Sequence, residues 1–346
     1  LDKESLTLSK KITYFMENWL KNILIKNFKS IQEVTLSECE RINLFVGRPN
    51  VGKSNLLEAL GLLSPFFFDL GKTFAKGFVR YERVADLFFD QNYLTHAIEI
   101  GSDNHLGRVE LSHNHDQFLF KYIQGPQTSF AVNISADGST SNVIAPGTDK
   151  IQVIKRYQFP ETQIFLDNRP STFLTPPYGE NLLSILQTNK NIRLEASKIF
   201  EEYQLELLVD SQSARLEIAK KRDGILFKTP FSLVADTLRR YLFHLAAIES
   251  NRDSVLLFEE PESHNFPPYI QLLAQRIMEE KTNQYFITTH SPFLFNSLVE
   301  GAKDVAVFVV EYENFQTKIR RLTEDNLKEV LDYGLNVFTE QELFAQ

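Results

Sequence analysis

Residues Gly47-Arg48-Pro49-Asn50-Val51-Gly52-Lys53-Ser54 place two glycines, a lysine and a hydroxyl at the spacing G-x-x-x-x-G-K-[ST]. The chemistry of that spacing is phosphate binding. Gly47 and Gly52 permit backbone angles that a side chain would block, so amide N–H groups can close on phosphate oxygens. A helix that follows adds its positive end to the same field. Lys53 then reaches the β- and γ-phosphates of a nucleotide, and the Ser54 hydroxyl serves as a Mg²⁺ ligand. Asn50 within the loop and Asn55 just after it complete the candidate nucleotide-binding set. A chain of this length matches the pattern by chance about once in a hundred.

Two further positions carry reactive groups. The run VLLFEEPESH ends in Glu259 and Glu260. One carboxylate can join a Mg²⁺ shell, and its neighbour can orient or deprotonate water for attack on a γ-phosphate. Taken alone, such a pair also reads as a solvated strand end. Thirty residues on, a second apolar run ends in Thr288-Thr289-His290-Ser291. A histidine placed there can touch a γ-phosphate and sense its loss.

The surrounding pattern supplies elements to hold these groups. From Trp19 to Val46 apolar and polar residues alternate, as in strands. Ile42–Val46 runs into Gly47, and a helical pattern starts at Lys53, giving strand, glycine-bounded loop and helix. THAIEI, GRVELS, QFLFKYI and DKIQVIKRYQF read as short strands, and Asn133–Thr148 as an exposed loop. Glu180–Val209 has helical spacing. RLEIAKKRDGILFK reads as a hairpin turning at Asp223-Gly224, and Leu233–Ser250 as a helix. Val255–Phe258 and Tyr285–Thr289 read as buried strands, with a helix over Pro268–Glu280 between them. VAVFVVEYE and KIRRL read as strands and NLKEVLDYG as a helix. Buried strands that release polar residues at their C-terminal ends are where α/β sheets place ligands.

In that order, GRPNVGKSN, VLLFEEPESHNFP and ITTHSP resemble the ABC-type ATPase heads of the SMC/RecF/OLD group of AAA family ATPases. ILIKNFKSI is similar to their first strand. The resemblance covers nearly the whole chain from Trp19 and implies an α/β P-loop NTPase of the ABC-ATPase head type with an inserted lobe. It implies ATP and Mg²⁺ as ligands, with Lys53 and Ser54 serving phosphate and metal. Glu259 would stand at the usual metal-site Asp, Glu260 would be the catalytic Glu and His290 the switch histidine. The group's signature helix, whose N-terminus reaches the γ-phosphate of the opposite subunit, is best matched by 231–239 around Ser232. That segment has no glycine and reads equally as an amphipathic core helix. Gln91 and Gln117 are candidates by position for the group's glutamine loop. Phe28 and Lys29 read either as flanking the nucleotide or as part of a core strand.

The resemblance implies a homodimer or higher homo-oligomer that closes on ATP, acting in DNA maintenance or anti-phage defence. OLD nucleases carry a Toprim domain after the ATPase. Here 56 residues follow His290, so a nuclease or toxin effector is expected on a separate protein. DNA is a candidate partner. The expected organisation is an N-terminal extension over 1–18, a first head part over 19–115, an inserted lobe over 116–225 and a second head part over 226–346.

Composition narrows the alternatives. The 346 residues are 43% hydrophobic and 24% charged, a globular profile with a net charge of -8. That charge disfavours a general nucleic-acid coat, and Lys220-Lys221-Arg222 and Arg320-Arg321 read as solvated faces. Cys39 is the one cysteine, so no intramolecular disulfide forms and a reducing cytoplasm is expected. No apolar run reaches the roughly 20 residues that span a bilayer, and no membrane role is expected. The chain contains no DxxG or NKxD, which disfavours a GTPase. About 200 residues separate Lys53 from the acidic pair, which disfavours a compact RecA-like motor. A nucleotide-gated scaffold with little hydrolysis and an ABC transporter ATPase subunit are the competing functions.

Overall fold

The structure is a computed structural model that describes residues 18–64, 73–103, 107–124, 127–144, 153–160, 172–210, 215–333 and 337–338. Nearly all of the expected N-terminal extension lies outside them.

In chain order the strands are β1 (Ile23–Phe28), β2 (Ile31–Leu36), β3 (Ile42–Val46), β4 (Ile98–Ser102), β5 (Arg108–Asn114), β6 (Gln117–Gln124), β7 (Gln127–Ile134), β8 (Thr140–Ile144) and β9 (Ile154–Tyr157). They continue with β10 (Glu206–Asp210), β11 (Arg215–Arg222), β12 (Ile225–Pro230), β13 (Val255–Glu259), β14 (Gln284–Thr288), β15 (Val305–Glu313) and β16 (Gln316–Arg321). The helices are α1 (Lys53–Gly61), α2 (Leu182–Thr188), α3 (Lys190–Glu201), α4 (Asp236–Ser250), α5 (Pro267–Glu279), α6 (Pro292–Gly301) and α7 (Glu324–Tyr333).

The chain divides into two compact units. The first holds 1–156, 253–260 and 282–346; the second holds 157–252 and 261–281. Residues 116–156 of the expected inserted lobe therefore lie in the first unit. The reason is hydrogen bonding: β6, β7 and β8 extend one antiparallel sheet in the order β2-β1-β4-β5-β6-β7-β8. Residues 157–225 of that lobe lie in the second unit.

The first unit also contains a six-stranded sheet, β16-β15-β3-β14-β13-β9. β3 lies at its centre, parallel to β14 on one side and β15 on the other. Its sequence INLFV is buried at every position, as a strand flanked and covered in a parallel sheet must be. Phe45 stacks on Phe286 of β14 at 6.2 Å between ring centroids and on Phe308 of β15 at 5.7 Å. VLLF of β13 and QYFIT of β14 are equally buried. α1 packs on β13 and β14. The parallel strands β3, β13 and β14 thus end on the same edge, where the reactive residues follow.

The second unit is helical, with a three-stranded antiparallel sheet β10-β11-β12. Helix α4 packs against α2, α3 and α5. The expected helix over Glu180–Val209 is divided. Asn189 ends α2 and caps α3, its side chain accepting from the N–H groups of Asn191 and Ile192. Glu206–Asp210 is strand β10, paired with β11; the run ELLVD is too short and too β-branched at Val209 to extend a helix against that pairing. The hairpin turn at Asp223-Gly224 is as expected, with both residues at positive φ. Within Asn133–Thr148, read as a loop, Thr140–Ile144 is a strand paired with β7. Helix α6 carries no reading from the sequence; Ser291 caps it by accepting from the Leu294 N–H. Among the described residues no helix is long and apolar enough to cross a membrane.

The packing of β3 gives a direct test. Phe45→Ala removes the ring that joins three strands and is expected to cost about 3–5 kcal/mol of unfolding free energy. Urea titration followed by circular dichroism measures it; a loss below about 1 kcal/mol would show that β3 is not the packing centre.

Candidate functional site

The loop 47–52 connects β3 to α1. Gly52 caps the helix at φ 101°, with no side-chain cap and no acidic residue in the first turn. The helix thus presents its first N–H groups and its positive end toward the loop. Gly47 has φ 152°, and a Cβ there would run into the Val310 carbonyl of β15. Asn50 also sits at positive φ, at 61°. These are backbone shapes that the glycine spacing anticipates.

Lys53 is buried, and its Nζ donates to the carbonyls of Gly47 at 2.9 Å and Arg48 at 2.7 Å. Burial pushes its pKa down to about 8, while the nearby Glu260 pulls it up. The loop therefore wraps its own lysine. Asn55 is turned elsewhere: its amide donates to the Ser30 hydroxyl at 2.7 Å. Its geometry is that of a brace behind the loop, and it does not join Lys53.

Ser54, at the start of α1, lies near Glu259 at the end of β13, close enough for its hydroxyl to help keep that carboxyl ionised. Two residues 205 positions apart in sequence are thus brought near one another. Glu259 is also gripped by Arg156 Nη2 at 2.6 Å and Arg80 Nη2 at 3.1 Å. Burial works to raise the Glu259 pKa, but Arg156, the Ser54 hydroxyl and Arg80 outweigh it and hold the carboxyl below its usual range. Glu259 is therefore an ionised, hard oxygen donor at neutral pH.

Behind this contact lies an ion network that the sequence reading does not contain. Glu58 on α1 is 0% exposed and accepts from Lys29 and from Arg80 Nε, the latter at 2.7 Å. Arg156 is 1% exposed and donates also to the Phe78 carbonyl. Three cations thus serve two carboxylates. One signal was present in the sequence: a glutamate inside the apolar run NLLEALG must be buried by the helix, and a buried carboxylate needs a cation. Lys29, flagged as flanking a nucleotide or lying in a core strand, is part of this network.

Glu260 takes a different course. It has φ 42°, a left-handed conformation that is costly for a glutamate. Its N–H donates to the Thr288 carbonyl at 3.0 Å and to the Thr288 hydroxyl at 3.2 Å, so β14 holds the strained residue in place. Its carboxylate lies 3.5 Å from His290 Nε2, and both side chains are over a third exposed. Burial and then Lys53 push the His290 pKa down, and Glu260 pulls it up; the net shift is downward, so His290 is neutral at pH 7. Lys53, Glu260 and His290 are thereby one electrostatic cluster.

Ser232 lies in the second unit. It is exposed, in a short turn at Phe231–Leu233, and the helix begins at Asp236, three residues later than the sequence pattern suggested. Asp236 occupies the first turn and is paired with Arg239 at 2.8 Å and Arg240 at 2.7 Å. Gln91 is exposed on a short turn and donates to Asp86, and Gln117 opens β6.

A Mg²⁺ ion suits the donor set. It prefers oxygen, uses one or two carboxylates, and fills its remaining positions from phosphate and water. Ser54 and Glu259 provide one hydroxyl and one carboxylate. Among the described residues there is no cluster of three or more His, Cys, Asp or Glu side chains that would indicate an all-protein metal cage.

Residues 155–296 match the family described as "AAA domain, putative AbiEii toxin, Type IV TA system". Residues 19–125 match the family described as "AAA ATPase domain". The chain is 38% identical over 76 residues to the DNA replication and repair protein RecF of Caldanaerobacter subterraneus subsp. tengcongensis, covering 22% of this chain and 18% of that protein. It is 29% identical over 100 residues to RecF of Thermoanaerobacter sp. (strain X514), covering 29% of this chain and 25% of that protein. The chain therefore spans about a quarter or less of these relatives' length. Among solved structures, an SmcHead bound to the C-winged helix domain of ScpA superposes with a TM-score of 0.52 at 17% identity, over 89% of this chain and 99% of that one. An Smc head domain with an extended coiled coil, bound to the C-terminal domain of ScpA derived from Pyrococcus furiosus, gives 0.51 at 14% identity, over 91% and 99%. At such identities the likeness carries the fold, an α/β P-loop NTPase of the ABC-ATPase head type. Two AAA matches, the RecF relatives and the head fold together support an ABC/SMC/RecF-type AAA ATPase family for the chain.

Proposed function

We propose that this chain binds ATP with Mg²⁺ and hydrolyses it at the edge formed by β3, β13 and β14. The observation that carries the reading is the convergence of Ser54 and Glu259 beside the phosphate loop, with the Glu260–His290 pair one residue further along. The loop amides and Lys53 hold the β- and γ-phosphates. Ser54 and Glu259 hold Mg²⁺, which when bound neutralises phosphate charge. Glu260, beside His290, orients and deprotonates the attacking water. Neutral His290 positions the Glu260 carboxylate and meets the γ-phosphate side.

In the same proposal, ATP closes a homodimer in which the segment around Ser232 of a second copy faces the phosphates. That segment lacks the close backbone approach that glycine allows, and Arg239 and Arg240 supply positive charge beside it. The setting proposed is DNA maintenance or anti-phage defence in the cytoplasm, through a separate effector. The name of the RecF relatives and the type IV toxin–antitoxin description support it. The β11–β12 hairpin adds support for a polyanionic partner such as DNA. Residues 215–230 carry five cations and two carboxylates in a chain of net charge -8, and Lys220, Lys221 and Arg222 are exposed.

Two measurements test the catalytic part. Glu260→Gln is expected to lower ATP turnover by at least about a hundredfold while ATP still binds, and to accumulate an ATP-dependent dimer in mass photometry. Turnover equal to the wild type would remove Glu260 from the chemistry. The second is a pH series of ATP affinity. Protonated Lys53 is the form that attracts phosphate, and its pKa lies near 8. Affinity is therefore full below that value and falls as pH rises through it, by up to about tenfold at pH 9 relative to pH 7. A flat profile from pH 7 to 9 would contradict the assignment.

A further inference from the structure

The phosphate loop is braced from behind by a directed chain of hydroxyl groups that reaches β16. Thr317 on β16 is 0% exposed. Its N–H donates to the Ser30 carbonyl at 2.7 Å. Its hydroxyl donates to the Val51 carbonyl at 2.9 Å and lies 2.7 Å from the Ser30 hydroxyl. The Asn55 amide contacts the same Ser30 hydroxyl at 2.7 Å.

The proton positions follow by elimination. A carbonyl only accepts, so the Thr317 proton is spent on Val51. The Ser30 proton must then go to Thr317 Oγ1. Ser30 has no second proton, so the Asn55 group facing it must be the donating NH₂ rather than the amide oxygen. The chain therefore runs in one direction, Asn55 to Ser30 to Thr317 to the Val51 carbonyl. Each bond polarises the next. It links α1, the turn between β1 and β2, β16 and the loop, all within the first unit.

The chain ends on the peptide that joins Val51 to Gly52. In a planar trans peptide the C=O and the N–H point to opposite sides. Fixing the Val51 carbonyl on Thr317 therefore aims the Gly52 N–H away from β16. The same packing explains why Gly52 tolerates no side chain: a Cβ there would strike the Thr317 and Ser30 hydroxyls. We propose that Thr317 is a positioning residue for nucleotide binding, which sets the orientation of the Gly52 amide toward phosphate through the Val51 carbonyl. This rests on the ATP-binding reading of the loop.

The test is the affinity for a fluorescent ATP analogue in the full chain, for wild type, Thr317→Val, Thr317→Ser and Ser30→Ala, with thermal midpoints recorded without nucleotide. Thr317→Val keeps the shape and removes the donor; it is expected to weaken binding by roughly tenfold. Thr317→Ser keeps the hydroxyl and restores affinity. Ser30→Ala leaves the bond to Val51 intact and is expected to weaken binding by less than Thr317→Val, so it keeps the proposal testable if the valine variant fails to fold. Wild-type affinity in Thr317→Val, or equal losses in the serine and valine variants, overturns the positioning role. With Thr317→Val unfolded, an effect of Ser30→Ala on the thermal midpoint but none on affinity overturns it as well. A wild-type protein that does not bind the analogue overturns the ATP reading itself, which separates the two failures.

Discussion

Two neighbouring carboxylates at the end of one buried strand must do opposite things, and the site depends on how the backbone separates them. Successive residues of a strand point to opposite faces. Glu259, still in β13, turns inward to Arg156, Arg80 and Ser54. Glu260 leaves the strand through a left-handed backbone and turns toward His290. The strain at Glu260 is held by Thr288 on the adjacent parallel strand. The register that sets Glu259 beside Thr288 is therefore also what aims Glu260.

The difference in surroundings divides the labour. Glu259 is surrounded by positive charge and stays ionised, as a metal donor must. Its two arginines differ: Arg156 is locked in the interior, whereas Arg80 is 62% exposed. Removing Arg156 would leave a buried carboxylate without its closest cation, which is costly. Glu58 draws in Lys29 as well, so that the turn between β1 and β2, helix α1 and the end of β13 are tied by ion pairs beneath the phosphate loop. Glu260 faces His290 instead.

The site was legible in the sequence where chemistry depends on local spacing. The loop from Gly47 to Ser54 and the strand-end positions of Glu259, Glu260 and His290 all appear in the fold as their patterns imply. The central buried strands were legible because short apolar runs such as VLLF leave little alternative. What escaped was long-range. Arg80, Arg156 and Thr317 lie far in sequence from the residues they contact, in segments whose local pattern is that of ordinary loop or strand. The second unit was the least legible: Asn189 breaks one apparent helix by capping the next, and ELLVD becomes a strand only through its pairing with β11. Asn55 followed the motif in position, yet its amide serves Ser30.

The claim that everything else serves is that Ser54 and Glu259 form the Mg²⁺ site. The most direct measurement is steady-state ATP hydrolysis against free Mg²⁺ for wild type and Glu259→Gln. The amide keeps the shape but loses the charge that binds the ion. The account predicts no hydrolysis in EDTA for either protein, and a half-saturating Mg²⁺ concentration at least about tenfold higher in the variant. The same Mg²⁺ dependence in both proteins would contradict it.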